Sequence, residues 1–115
     1  MKIRIKGNSL RYRLTKTDVA NLAAHGIVEE STNFKLQILK YILISKDDEN
    51  LSASFEDNTI TVSMPEYMIL EWVNTDRVGF EHTDNGMHLL VEKDFVCLDT
   101  VEEDQSDNYP NPLLG

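Results

Sequence analysis

Lys2-Ile3-Arg4-Ile5-Lys6 alternates polar and apolar residues, which puts Ile3 and Ile5 on one face of an extended segment and the cations on the other. Gly7-Asn8 is a turn signal, and Leu10, Tyr12 and Leu14 then alternate with Arg11 and Arg13. The pattern predicts a β-hairpin with one apolar and one basic face. Thr15 or Thr17 can supply an N-cap oxygen, Asp18 suits the positive end of a helix dipole, and Gly26 suits a helix C-cap. Val19, Leu22 and Ala23 fall on one face of that helix, and strand patterning resumes at Val28. A shift of 50 residues reproduces the plan: Ala53 and Phe55 replace Ile3 and Ile5, and Asp57-Asn58 replaces Gly7-Asn8. Ile60, Val62 and Met64 then replace Leu10, Tyr12 and Leu14, and Ile69, Trp72 and Val73 replace Val19, Leu22 and Ala23. Pro65 stands at the second helix entrance, where a missing N–H costs little.

Lys35 to Ile44 is a β-rich run, and Lys46 to Asn50 reads as a charged loop between the halves. Asp84-Asn85-Gly86 turns the strand that begins at Val78, and Met87 to Val91 returns antiparallel. These elements predict a mainly β (α+β) fold: a pseudo-twofold small β-barrel of two strand–strand–helix–strand units with two short helices. One domain is expected over residues 1–98, with repeats at about 1–45 and 51–95 and an acidic extended tail over 99–115. The apolar members of the patterns predict a core of Ile3, Ile5, Leu10, Tyr12, Leu14, Leu22, Val28, Phe55, Ile60, Val62, Met64, Ile69, Trp72, Val78 and Phe80.

Residues 51–93 carry Asn58-Thr59-Ile60-Thr61-Val62, then Met64-Pro65 before the helix, Asp76-Arg77-Val78 after it, and Leu89-Leu90-Val91. This segment resembles the swapped-hairpin domain of AbrB- and MazE-type regulators and antitoxins. It lacks that family's Gly before Asp76 and has Met64 where Ile is usual. The resemblance implies DNA binding, and two fused copies imply a single-chain cradle-loop barrel. The whole chain is also similar to a small uncharacterised bacterial family. The features it shares are the Lys2-Ile3-Arg4-Ile5-Lys6-Gly7-Asn8-Ser9 start, Glu92-Lys93-Asp94-Phe95, Cys97-Leu98 and Tyr109-Pro110-Asn111-Pro112. That similarity implies no known activity.

The 115 residues fit one domain, and 41% apolar content supports a modest core. A net charge of −9 disfavours nucleic acid and anionic lipid as partners at long range. Cys97 is the lone cysteine, so no disulfide within the chain is expected, and a cytoplasmic setting is the default. The start lacks the apolar run of a secretory leader, and Tyr41-Ile42-Leu43-Ile44 is far too short to span a bilayer.

Candidate chemistry is sparse. Cys97 lacks the paired spacing of a zinc site, and neighbouring carboxylates would raise a thiol pKa rather than activate it. With a two-residue turn at Asn85-Gly86, His82 faces Leu89 and His88 faces Thr83, so the two imidazoles point to opposite sheet faces. His25 stands apart on the first helix. Glu29-Glu30 and Glu102-Glu103 are adjacent pairs that read as solvated surface, and no nucleophile elbow or glycine-rich phosphate loop is present. No catalytic residue, cofactor or metal is predicted.

The distribution of charge is the distinctive feature. Lys2, Arg4, Lys6, Arg11, Arg13 and Lys16 are six of the eleven basic residues, and no acid precedes Asp18. At the other end Asp99, Glu102, Glu103, Asp104 and Asp107 come without a base, followed by Tyr109. The basic face can meet phosphates, an acidic protein partner or this chain's own tail, in cis or across a dimer. The leading reading is a non-enzymatic binding module that uses the basic hairpin and acidic tail, with a protein partner or self-association. An AbrB/MazE-like DNA-binding or antitoxin protein and a small-ligand or metal-binding barrel are the alternatives.

Overall fold

The computed structural model describes residues 1–96 and 105–111. Its elements run β1 (Lys2–Lys6), β2 (Ser9–Leu14), α1 (Lys16–His25), β3 (Ile27–Phe34), β4 (Gln37–Lys46), β5 (Ser52–Glu56), β6 (Thr59–Pro65), α2 (Glu66–Asn74), β7 (Gly79–Asp84) and β8 (Met87–Lys93). The protein is therefore mainly β with two short helices. Matching elements begin 50 residues apart, at 2 and 52, 9 and 59, 16 and 66, and 37 and 87.

Local chemistry explains where the elements end. Asp57 and Asn58, and then Asn85 and Gly86, take positive φ at consecutive positions, as two-residue hairpin turns demand. At α1 the Thr15 hydroxyl accepts from the Asp18 N–H while the Asp18 carboxylate accepts from the Thr15 N–H. Gly26, at φ 77°, ends α1 by donating its N–H to the Leu22 carbonyl at 2.9 Å.

Two four-stranded mixed sheets result, in the orders β1-β2-β8-β7 and β3-β4-β6-β5. Each sheet joins one hairpin from each half of the chain. The halves meet through parallel pairs, β2 with β8 (Tyr12 opposite Val91) and β4 with β6 (Leu43 opposite Val62). The expected closed barrel does not form, because β1 and β7 end their sheet without pairing to β3 or β5. Side chains and chain ends bridge the two sheets instead: Tyr41 OH donates to the Met1 carbonyl at 3.1 Å, and the Ala53 N–H to the Asp84 carboxylate at 3.4 Å.

The facing sides of the sheets hold the core. Tyr12, Leu14, Leu43, Met64 and Trp72 are fully enclosed, with Leu10, Leu22, Val28, Val62, Ile69 and Phe80 also buried. Val19, Leu51, Met68, Leu89 and Val91 join them. Ile3 and Ile60 pack against this core only in part. Three expected core members are exposed: Ile5 (59%), Phe55 (67%) and Val78 (44%). Ile5 and Phe55 have the inward parity of their strands, but they sit near the turn ends, where the sheets no longer close on one another. Val78 precedes β7 and contributes its carbonyl, which accepts from Trp72 Nε1 at 3.0 Å. No helix among the described residues is long and apolar enough to cross a membrane.

Candidate cationic face and apolar cleft

The register of β1 against β2 places Lys2 opposite Arg13, Arg4 opposite Arg11 and Lys6 opposite Ser9. Directly opposed residues share a sheet face, so five cations stand together on the outer side of this hairpin. Like charges directly opposite each other destabilise a sheet. The neighbouring β8 relieves part of that repulsion. Glu92 Oε1 lies 3.3 Å from Arg13 Nε and 3.4 Å from Arg11 Nε, and the buried Asp94 lies 3.0 Å from Lys2 Nζ. Among the described residues no carboxylate pairs with Arg4 or Lys6. These two, with Ser9 and Arg11, line a hollow of about 160 Å³. Sequence reading missed Glu92 and Asp94 as partners, because they reach this face only through the parallel β2–β8 pairing.

The corresponding hairpin of the second half has the same register and different chemistry. There Ser52 faces Ser63, Ser54 faces Thr61 and Glu56 faces Thr59. The fold thus also builds this hairpin from small hydroxyl residues; Lys2, Arg11 and Arg13 serve the carboxylates of Asp94 and Glu92, whereas Arg4 and Lys6 answer no carboxylate among the described residues.

On the inner side of the same hairpin, at the turn end of the molecule, the sheets part around an apolar cleft of about 530 Å³. Ile5, Leu10, Leu39, Phe55, Ile60 and Met87 line it. Alternation had predicted Ile5, Leu10, Phe55 and Ile60 as apolar members, but the opening between the sheets has no sequence signal. Beyond it β3 and β4 extend as an arm that leaves Phe34, Leu36 and Ile38 exposed.

The remaining predicted residues fall elsewhere. Lys16 opens α1 rather than joining the cationic face. Asp107 sits at the same helix end: its carboxylate accepts from the Thr17 hydroxyl at 3.0 Å and from the Thr17 N–H, and its carbonyl from the Lys16 N–H at 3.0 Å. Hydrogen bonds from Thr15 and Thr17, with Lys16 nearby, hold this carboxyl below its ordinary pKa. Tyr109 bridges to Phe95 through the backbone, and Lys93 Nζ lies 5.0 Å from its ring. Asp99, Glu102, Glu103, Asp104 and Cys97 lie outside the described residues.

His82 faces Leu89 and His88 faces Thr83, in the register the turn predicts. His88 contacts Thr83 Oγ1 at 3.3 Å and Glu81 at 3.5 Å. Among the described residues no three His, Cys, Asp or Glu side chains are grouped to hold a metal.

Fold and surface together define a two-sheet β protein with a charged hairpin and an open apolar cleft. The chain belongs to a family of unknown function, DUF7009, whose profile matches residues 1–113. No curated protein and no solved structure matches it.

Proposed function

We propose that this chain is a non-enzymatic binding module whose contact surface is the outer face of β1 and β2, and that its partner is an acidic protein. One observation carries the reading. Of two hairpins with the same register, the first concentrates five cations where the second has Ser, Thr and one Glu. Opposed cations cost stability, and a compensating partner that neutralises Arg4 and Lys6 gives them a use. The protein's overall charge of −9 repels polyanions at long range, so the attraction of an acidic segment to this face is local and acts at contact distance. The reading treats residues 1–98 as one domain of cytoplasmic setting, built from two duplicated units related by a pseudo-twofold, with 99–115 as an acidic extended tail.

The AbrB/MazE resemblance supports a second reading, DNA binding through the same face. Its structural support is the joining of hairpins from both halves within each sheet. Fluorescence anisotropy with labelled poly-glutamate and with random duplex DNA separates the two. Poly-glutamate should bind the wild type, and the Arg4→Glu/Lys6→Glu double variant should bind it about tenfold more weakly at low salt. Tighter binding of DNA than of poly-glutamate, with the steep salt dependence of counterion release, would replace the acidic-protein reading with the nucleic-acid one.

A further inference from the structure

We propose that the acidic partner binds as an extended segment added to the free edge of β1, with carboxylates and apolar side chains in alternation. This inference rests on the cationic-face reading and specifies the partner's form.

Strand β1 ends its sheet, with β2 on one side and, among the described residues, no strand on the other. The opposite edge strand, β7, is approached by β5 through the Ala53–Asp84 hydrogen bond. On the β1 side the other sheet comes close at the first residue, where the Met1 carbonyl accepts from Tyr41 and the Met1 amine lies 3.0 Å from Glu30. Beyond it the edge leads toward the open end of the sandwich. A strand laid there alternates its side chains between two environments. One set stands beside Lys2, Arg4 and Lys6. The other set stands beside Ile3 and Ile5, of which Ile5 lines the 530 Å³ cleft.

Both environments lack something that such a strand supplies. Arg4 and Lys6 have no carboxylate among the described residues, and Ile5 and Phe55 are 59% and 67% exposed at the cleft. Main-chain hydrogen bonds along the edge would supply affinity, and the alternating environments would supply specificity. Cations on an edge strand are also a common protection against edge-to-edge aggregation. That role accounts for Lys2, Arg4 and Lys6 but not for an exposed Ile5 next to an open apolar cleft. The same cations decide against a second copy of β1 as the occupant, because self-pairing would set Lys and Arg against Lys and Arg.

The test uses the full chain and two acetylated, amidated hexapeptides of equal composition, one alternating glutamate with valine and one with the three glutamates in a block. Binding is followed by backbone amide shifts. The alternating peptide should bind at least about tenfold more tightly than the block peptide and shift β1 and the cleft-lining amides. N-methylation of every second residue, tried in both phases, should abolish binding in one phase. Ile5→Thr, at an exposed position, should weaken the alternating peptide but leave poly-glutamate binding unchanged. Equal binding of the two hexapeptides, or binding of poly-glutamate with neither hexapeptide, would overturn strand addition while leaving the acidic-partner reading standing. Failure of poly-glutamate and both hexapeptides would overturn the two together.

Discussion

At the N-terminus of α1, Thr15 and Asp18 satisfy each other's backbone N–H groups, and at its C-terminus Gly26 takes the left-handed conformation. At the matching entrance of α2 stands Pro65, which has no N–H and makes no side-chain cap, and α2 ends in Thr75 with extended backbone. The packing faces differ in the opposite sense. Helix α1 buries Val19 and Leu22, whereas α2 buries Met68, Ile69 and Trp72. Trp72 is fully enclosed, meets Phe80 edge-on at 6.4 Å and donates to the Val78 carbonyl. At its C-terminus α2 is closed by side chains, Asn74 Nδ2 donating to the Leu70 carbonyl and Thr75 Oγ1 to the Glu71 carbonyl, so the helices differ mainly in the N-terminal cap and in the packed face. Capping contributes about 0.5–2 kcal/mol, and a buried indole several times that. A helix N-terminus without a side-chain cap is therefore tolerable where the packing is heavy. Equivalent positions in the two halves need not carry equivalent energy.

Truncation at the heavier side should have the largest effect. Trp72→Ala should cost about 3–5 kcal/mol in urea unfolding, since it empties a fully enclosed site. A loss below about 1 kcal/mol would show that α2 is not held by its face.

Next comes a position where the halves differ by a whole side chain. Glu29 corresponds to Gly79, and a Cβ on Gly79 would collide with the Val91 carbonyl oxygen and come within 2.7 Å of the Glu92 Cβ. Gly79→Ala should therefore cost about 1–3 kcal/mol by overpacking the β7–β8 pair. Glu29→Ala, at an exposed position on β3, should stay within about 0.5 kcal/mol. Equal losses at the two sites would remove this distinction between the halves.

Removing the cap at α1 should be milder than removing the indole from α2. Thr15→Ala should cost about 1 kcal/mol, read from the urea midpoint at unchanged slope. Thr15→Asn should recover most of the loss, because the asparagine side chain also accepts from the helix N–H groups.

The smallest expected effect is a pH response at the same helix end. Hydrogen bonds from Thr15 and Thr17 depress the Asp107 pKa, so any stability it contributes is present above the ordinary carboxylate value and is lost as pH falls through the depressed one. Amide shifts of Lys16 and Thr17 should follow that titration, with a midpoint below the ordinary carboxylate value. Asp107→Asn should abolish the response and leave the β-sheet amides unmoved. A midpoint at or above the ordinary value would show that the Asp107 carboxylate does not cap α1 in solution.

Much of the architecture was legible because it is local. Alternation places Leu10, Tyr12 and Leu14 on the buried face of β2, Asn85-Gly86 turns β7 into β8, and Thr15 and Gly26 delimit α1. The grouping of Lys2, Arg4, Lys6, Arg11 and Arg13 on one face also follows from side-chain parity and a single turn. These features depend on interactions between residues close in sequence, where geometry leaves few choices.

Tertiary structure decided what parity leaves open. Ile5 and Phe55 have the inward parity of core residues but line a cleft, because burial depends on how far two sheets overlap and alternation carries no information about overlap. Glu92 and Asp94 neutralise part of the basic hairpin because β8 pairs in parallel with β2, about 80 residues away in sequence, a distance over which loop closure leaves many pairings possible. The same long-range pairing makes two open sheets instead of one barrel and, among the described residues, leaves β1 with an unpaired edge. The sequence by itself determined the strands, the turns, the caps and the charged face. Among the described residues, which edges stay open and which cations stay without a carboxylate depended on contacts between halves that local propensity does not encode.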